Sequence, residues 1–379
     1  MRLDIVVASD GEVPMGDLGR SRSIRIEFGR PEWSAGRIAN LKPAPDAVVA
    51  ADDRGVVIAA IASDLLSIPA NPVAAVSATR DKARMRGLLD SAQVRQPPYR
   101  LAGRGEVPIA ANDIGYPCVV KPRSLSASRG VIRIDDAGAA QVAEQRIRDI
   151  LCDVEESSDE PLLVESFIDG PEVAVEAMLV DGTLQVLALL DKPDPLDGPY
   201  FEETLFVTPS RHDAGIQAEI VDLVGAAAHA LGLLSGPVHA EVRIGSEGVS
   251  LIEVAARSIG GLCGRSLTFG LLGESLESLI LRSALGLPGS GREVQATATG
   301  VLMLPIGERG TLESIEGVEL ALAVPGITDF SQTIPNGRTV VPLPEGDRYL
   351  GFLFGERSTP EDVEEALREA LRKLTVTIS

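Results

Sequence analysis

The stretch from Pro237 to Arg257, PVHAEVRIGSEGVSLIEVAAR, constrains the fold more than any other part of the chain. VHAEVRI and VSLIEVA alternate Val and Ile with other residues, as strands do, and the Gly-Ser-Glu-Gly between them is turn chemistry. The pattern predicts a hairpin. With Ser246, Glu247 and Gly248 as a three-residue loop and Gly248 in the left-handed position, Gly245 pairs with Val249 and Glu241 falls opposite Glu253. A one-residue bulge would shift that register. Facing strand residues lie about 5 Å apart, and two carboxylates there repel by roughly 3 kcal/mol at an effective dielectric of about 20. Positive charge is therefore expected between them. Strand alternation carries the same face past Ala255 to Arg257, which brings a guanidinium toward the same place. The alternative is a solvated acidic hairpin on an acidic protein.

The 379 residues, 45% of them hydrophobic, are enough for two or three domains with substantial cores. A formal charge of −20 argues against sequence-independent nucleic-acid binding, which needs a basic footprint. An anionic ligand would need a local basic pocket, most plausibly with a metal. The opening MRLDIVVASDGEVP has too short an apolar stretch for a signal peptide and nothing later approaches a membrane span, so a cytoplasmic protein is expected. Cys118, Cys152 and Cys263 lack metal-ligand spacing, and reduced buried thiols are the expectation.

Along the chain, LDIVVASD, AVVAADD and VVIAAIASDLL read as strands, the last turning helical, in a Rossmann-like α/β unit. From Ser77, SATRDKARMRGLLDSAQV reads as one capped basic helix, with Arg80, Lys82, Arg84 and Arg86 on a solvated face unless another observation recruits them. YPCVVKPRSLSASRGVIRID then gives a strand ending in Lys121, a loop of small residues and a second strand. The loop from Ser124 to Gly130 suits phosphate, through backbone N–H groups and hydroxyls, with Lys121 supplying charge. It is not a P-loop, because GxxxxGK[ST] is absent. Strands around a DGPE turn carry Glu165, Glu172 and Glu176. A helix follows with Ile216, Ile220, Leu223, Val224, Ala227 and Leu231 on one face, and after the hairpin comes another between Ser275 and Gly286. The last segment alternates short strands with turns and ends in a helix starting at Thr359 and Pro360.

The ordered set TRDK, PCVVKP, a small-residue loop, VESFIDGPEVAVE, GPVHAEV and LIEVAAR closely resembles the ATP-grasp superfamily, and within it the carboxylate-amine ligases that include the bacterial L-amino acid ligases. The resemblance covers roughly 78–285, and the segment after it resembles the extra domain of that ligase group. It implies an α/β and α+β architecture: a truncated Rossmann-like domain over 1–76, an ATP-grasp domain over 77–290 with a phosphate-loop subdomain over about 117–162, and a C-terminal α+β domain over 291–379.

It also implies roles. Lys82 and Lys121 resemble the lysines that hold ATP phosphates, and Ser126, Ser128 and Gly130 belong to the loop that folds over them. Glu165 and Phe167 lie in the segment whose backbone reads adenine, and Glu172 matches the ribose-binding carboxylate. Glu241 and Glu253 match ligands of Mg²⁺ or Mn²⁺, which would answer the repulsion in the hairpin. Arg257 and Lys121 are the implied catalytic residues, the former on the transferred phosphoryl group or the acyl-phosphate. Glu203 is similar in position to the acid that receives a substrate amino group, and Arg265 is a candidate for a substrate carboxylate. His239, on the strand face of Glu241, is left out of the mechanism.

Two departures from the family pattern stand out. Ala255 occupies the place of a metal-binding Asn, so one metal ion is expected to be weaker or more hydrated. The chain begins at what resembles the second strand of the first domain: either the domain is truncated, with an open sheet edge that is compatible with a homodimer, or the true start lies upstream. The implied reaction is ATP-dependent amide formation between a small-molecule carboxylate and an amine. Alternatives are a bicarbonate-using ATP-grasp carboxylase and a catalytically degenerate nucleotide-binding module.

Overall fold

A computed structural model describes residues 3–11, 22–154, 156–269, 273–287 and 297–379. The expected domain boundary at 290/291 lies outside the described residues.

The amino-terminal unit differs most from its sequence reading. Val6–Ser9 pairs in parallel with Arg22–Arg25, the segment AVVAADD forms no strand, and the continuous apolar run after it is the helix Val56–Leu66 from its first residue. A short apolar run suits a buried helix as well as a strand, and here every second or third residue (Val56, Ile58, Ala60, Ala62) is buried against neighbouring helices. The single basic helix expected from Ser77 is two. Val73–Thr79 ends at Arg80, and Asp81 starts the next, Lys82–Ser91, by accepting hydrogen bonds from the N–H groups of Ala83 (3.0 Å) and Arg84 (3.2 Å). That break makes Lys82 the first residue of a helix and turns it inward.

Among the described residues, two antiparallel sheets frame the centre of the molecule. The smaller runs Tyr99–Ala102, Leu162–Ser166, Cys118–Lys121, Ile132–Ile134 in spatial order. Its alternation is strict: Cys118, Val120, Leu162 and Val164 pack on the helices Val107–Ile114 and Ala137–Asp153, which leaves Val119, Lys121 and Glu165 on the opposite face.

The larger sheet has eight strands in the order Gly248–Ala255, Gly236–Gly245, Glu172–Val180, Thr183–Lys192, Leu205–Thr208, Ala298–Leu304, Gly351–Arg357, Ile327–Gln332. Val173, Val175, Val238, Ala240, Val242 and Leu251 bury against Ile220, Val224, Ala227 and Leu231 of the helix Ala214–Leu231. The residues between them, Glu172, Glu176, His239, Glu241 and Arg243, fall on the other face. Strands from the carboxy-terminal segment continue this same sheet, and the helix Pro360–Leu371, capped by Thr359, buries Val363, Ala366, Leu367 and Ala370 against them. Cys118 and Cys263 are buried; Cys152 is exposed on its helix, against expectation.

The hairpin pairs Glu241 with Glu253, but by a different route from the expected one. Gly245 pairs with Gly248, so the loop has two residues, and a bulge opposite Glu241/Val242 inserts Ile252 and restores the register.

Candidate active site

A cavity of about 540 Å³ lies between the two sheets, within the range of small-molecule sites. Its walls include Lys82, Lys121, Ser126, Ser128, Glu165, Phe167, Glu172, Glu203, Glu241, Glu253 and Arg257, which the sequence singles out from segments far apart in the chain.

At one end the small-residue loop is held from below. Lys82 Nζ donates to the carbonyl of Leu125 (2.7 Å) and pairs with Glu253 (3.0 Å); Arg80 donates to the carbonyl of Ser124 (3.1 Å). The loop backbone is left-handed at Ala127 (φ 55°) and Ser128 (φ 54°), an unfavourable conformation that clusters at ligand-binding loops. Gly130 (φ 70°) sits at the far end, where its N–H donates to the carbonyl of Pro344 (2.9 Å) rather than lining the cavity.

Lys121 is buried and pairs with Glu165 at 2.5 Å. Glu165 also accepts from Arg86 Nε at 2.5 Å, and Arg86 continues to the carbonyl of Ile252 (2.7 Å), the bulged residue of the hairpin. Arg86 is thus fully buried, not on a solvated face; the acid it meets comes from another sheet, which helix periodicity does not show. Burial raises the Glu165 carboxyl, but Arg86 and Lys121 together overcome this and hold it at about 2. Burial lowers the Lys121 amine, with Glu165 opposing and Arg86 adding to the effect.

The large sheet supplies the acids. Lys192, buried, donates to Glu172 (2.6 Å), to Glu203 and to Glu241 (3.2 Å). Burial raises the Glu203 carboxyl to about 7, against the pull of Lys192 and with help from Glu241. Register explains the remaining pairs: His239 stands opposite Glu176 and bonds it through Nδ1 (2.5 Å), and Arg243 stands opposite Glu172 and bonds it through Nε (2.8 Å). The guanidinium carbons of Arg133 and Arg243 lie 4.3 and 4.9 Å from the Phe167 ring centroid. Arg257 pairs with Asp53 at 2.7 Å.

Among the described residues, the acids whose carboxylate oxygens lie within 4.8 Å of one another are Glu172, Glu203 and Glu241, oxygen donors of the kind a divalent cation takes. Glu253, opposite Glu241 on the neighbouring strand, also lines the cavity and pairs with Lys82. Ala255 adds no donor there. Arg265 is not brought to the cavity: it rises from the turn Cys263–Phe269 toward the carboxy-terminal strands, where it pairs with Asp329 (2.7 Å), accepts no part in the acid cluster and lies over the Phe354 ring. The sequence reading missed Asp53, Arg86, Lys192 and Arg243. Arg243 was legible, since it follows His239 and Glu241 on one strand face; the others needed the tertiary fold.

A cleft between a small antiparallel sheet with a small-residue loop and a large sheet bearing paired acids defines a nucleotide-grasping fold. Residues 114–266 match the family model described as ATP-grasp domain, and 302–379 match that described as L-amino acid ligase C-terminal domain 2; the chain carries an ATP-grasp domain followed by an L-amino acid ligase C-terminal domain. It is 27% identical over 233 residues to alanine–anticapsin ligase of Bacillus subtilis, covering 57% of this chain and 49% of that protein. It is 28% identical over 280 residues to carnosine synthase 1 of Gallus gallus, covering 69% and 30%. The chain thus spans about half the length, or less, of these two relatives. The crystal structure of an L-amino acid ligase from Bacillus licheniformis superposes with a TM-score of 0.85 at 23% identity, over 100% of both chains, and shares the fold.

Proposed function

We propose that the protein is an ATP-dependent ligase that joins a carboxylate, an amino acid, to an amine through an acyl-phosphate, releasing ADP and phosphate. The observation that carries this reading is the convergence in one cavity of two lysines beside a small-residue loop, facing carboxylates and an arginine. The similarity to alanine–anticapsin ligase and carnosine synthase supports the choice of an amine acceptor.

In this reading Lys82, Lys121 and the Ser126–Gly130 loop hold the phosphates, the segment from Glu165 to Phe167 holds adenine and Glu172 the ribose. A Mg²⁺ or Mn²⁺ ion held by Glu241 and Glu253 would neutralise phosphate charge. A carboxylate oxygen attacks the γ-phosphorus and ADP leaves; the amine then attacks the acyl carbon, phosphate leaves and the amine proton is lost. A free carboxylate is a poor acyl donor because oxide would have to leave, which is why the phosphoryl group is needed. The chain's residues contribute position and charge: Arg257 stabilises the phosphoryl oxygens, Glu203 receives an ammonium group, and the cavity walls shield the acyl-phosphate from water. No protein nucleophile is required.

Phosphate release with Mg-ATP against pooled amino acids, with mass spectrometry of each positive pool, tests this. A dipeptide mass with stoichiometric ADP is the expected result. Bicarbonate-dependent ADP release without an amino acid would replace it with a carboxylase, and ATP binding without turnover in any pool would leave a nucleotide-binding module.

A further inference from the structure

Asp53 belongs to the amino-terminal unit, just ahead of the helix Val56–Leu66, yet its side chain lines the cavity of the two sheets and is only 12% exposed. Its Oδ2 accepts from Arg257 Nη2 at 2.7 Å, and its Oδ1 meets Arg80 Nη1 at 3.3 Å. Arg80 in turn donates to the Ser124 carbonyl at 3.1 Å, at the base of the small-residue loop. The other nitrogen of Arg257, Nη1, donates to the Ser258 carbonyl at 2.8 Å, so the guanidinium is gripped on two sides.

The geometry points to Asp53 as a positioning residue that holds the Arg257 guanidinium at the cavity wall and, through Arg80, ties it to the phosphate-loop backbone. The inference rests on the ligase reading for the role of Arg257. An arginine side chain has several rotatable bonds, and its usefulness to a transferring phosphoryl group depends on being fixed beforehand. A carboxylate from a third unit of the fold does that here. Burial works to raise the Asp53 carboxyl, but Arg257, Arg80 and Lys82 hold it below the usual range, so it is ionised for this task at neutral pH.

The test uses the full chain with Asp53→Ala and the isosteric Asp53→Asn, the second guarding against a folding defect in the first. Phosphate release is measured with Mg-ATP and whichever amino-acid pool the wild type turns over, ATP affinity by calorimetry, and the Arg257 side-chain ¹⁵N signals by NMR, identified by their absence in Arg257→Lys. We expect kcat to fall roughly 10–100-fold, more for Ala than Asn, with ATP affinity within about twofold. Resolved Arg257 guanidinium signals in the wild type should collapse in Asp53→Ala as rotation is freed. Unchanged Arg257 signals would overturn the inference, and so would a raised KM for an amino acid at unchanged kcat, which would make Asp53 a substrate contact. If the wild type releases no phosphate, the ligase reading fails, and the NMR comparison still decides whether Asp53 holds Arg257.

Discussion

Glu241 and Glu253 face each other across adjacent strands only because Ile252 is bulged out. The two-residue loop by itself sets Gly245 against Gly248 and would place Glu241 opposite Ile252; Glu253 would then face Ala240 on the helix side of the sheet. One extra residue returns it to the cavity. With both acids available to a cation, Glu253→Gln is expected to lower phosphate release at least ~100-fold, as loss of charge stabilisation at a reacting group does, while thermal stability stays near wild type. Loss of Mn²⁺ binding by electron paramagnetic resonance should accompany it. Unchanged turnover would remove these residues from the metal site.

Arg86 anchors the bulge through the Ile252 carbonyl and neutralises Glu165 from the other sheet. Arg86→Met strands a buried carboxylate between Lys121 and an apolar side chain, and removing one partner of such a pair costs about 3–5 kcal/mol. Urea unfolding should show a loss of that size. A loss under about 1 kcal/mol would mean that Lys121 alone suffices for Glu165.

Ala255 lies opposite His239 and lines the cavity without offering a ligand atom. Ala255→Asn is therefore expected to tighten Mn²⁺ binding roughly tenfold, equivalent to about 1.4 kcal/mol from one added donor. Calorimetry without nucleotide and with ADP reads this directly. No change in either state would place the cation out of reach of that residue.

The hairpin, the loop after Lys121 and the acids on alternating strand positions were legible because strand period and turn chemistry are local. The Glu241–Glu253 pairing was predicted through a three-residue loop and observed through a two-residue loop plus a bulge, two local differences that cancel. Arg86 and Asp53 were not legible. Their partners, Glu165 and Arg257, are supplied by elements distant in sequence, so nothing near Arg86 distinguishes it from a solvated helix face. The helix Val56–Leu66 was misread at its start because its apolar run has no polar stripe to fix a period.

The carboxy-terminal segment fastens the small sheet's helix and the loop after Lys121. Arg146 makes a two-pronged bond with Glu345 (2.6 and 3.0 Å), Arg129 pairs with Asp347 (3.5 Å), and Gly130 N–H reaches the Pro344 carbonyl. Glu345→Gln should change global stability by less than about 1 kcal/mol, since the pair is partly exposed, but raise local opening roughly fivefold. Trypsin cleavage after Arg129, followed by mass spectrometry, measures that opening. Equal cleavage rates in variant and wild type would show that this pair does not restrain the loop.

Acid should weaken the fold through Glu165 in a defined window. Its carboxyl, at 4.5 ordinarily, is held at about 2 in the folded protein by Arg86 and Lys121 against burial. A depressed carboxylate contributes stability that is complete above its unfolded value and is lost as pH falls from there toward the folded value. From pH 5 to pH 3 the unfolded chain takes up the proton while the folded one does not, at a cost on the order of 2 kcal/mol, and the loss continues toward pH 2. Glu165→Gln lacks the titrating group, so its urea stability should fall less than that of wild type over the same interval, by about that difference. Parallel pH profiles for the two proteins would mean that Glu165 is not held ionised by its two cations.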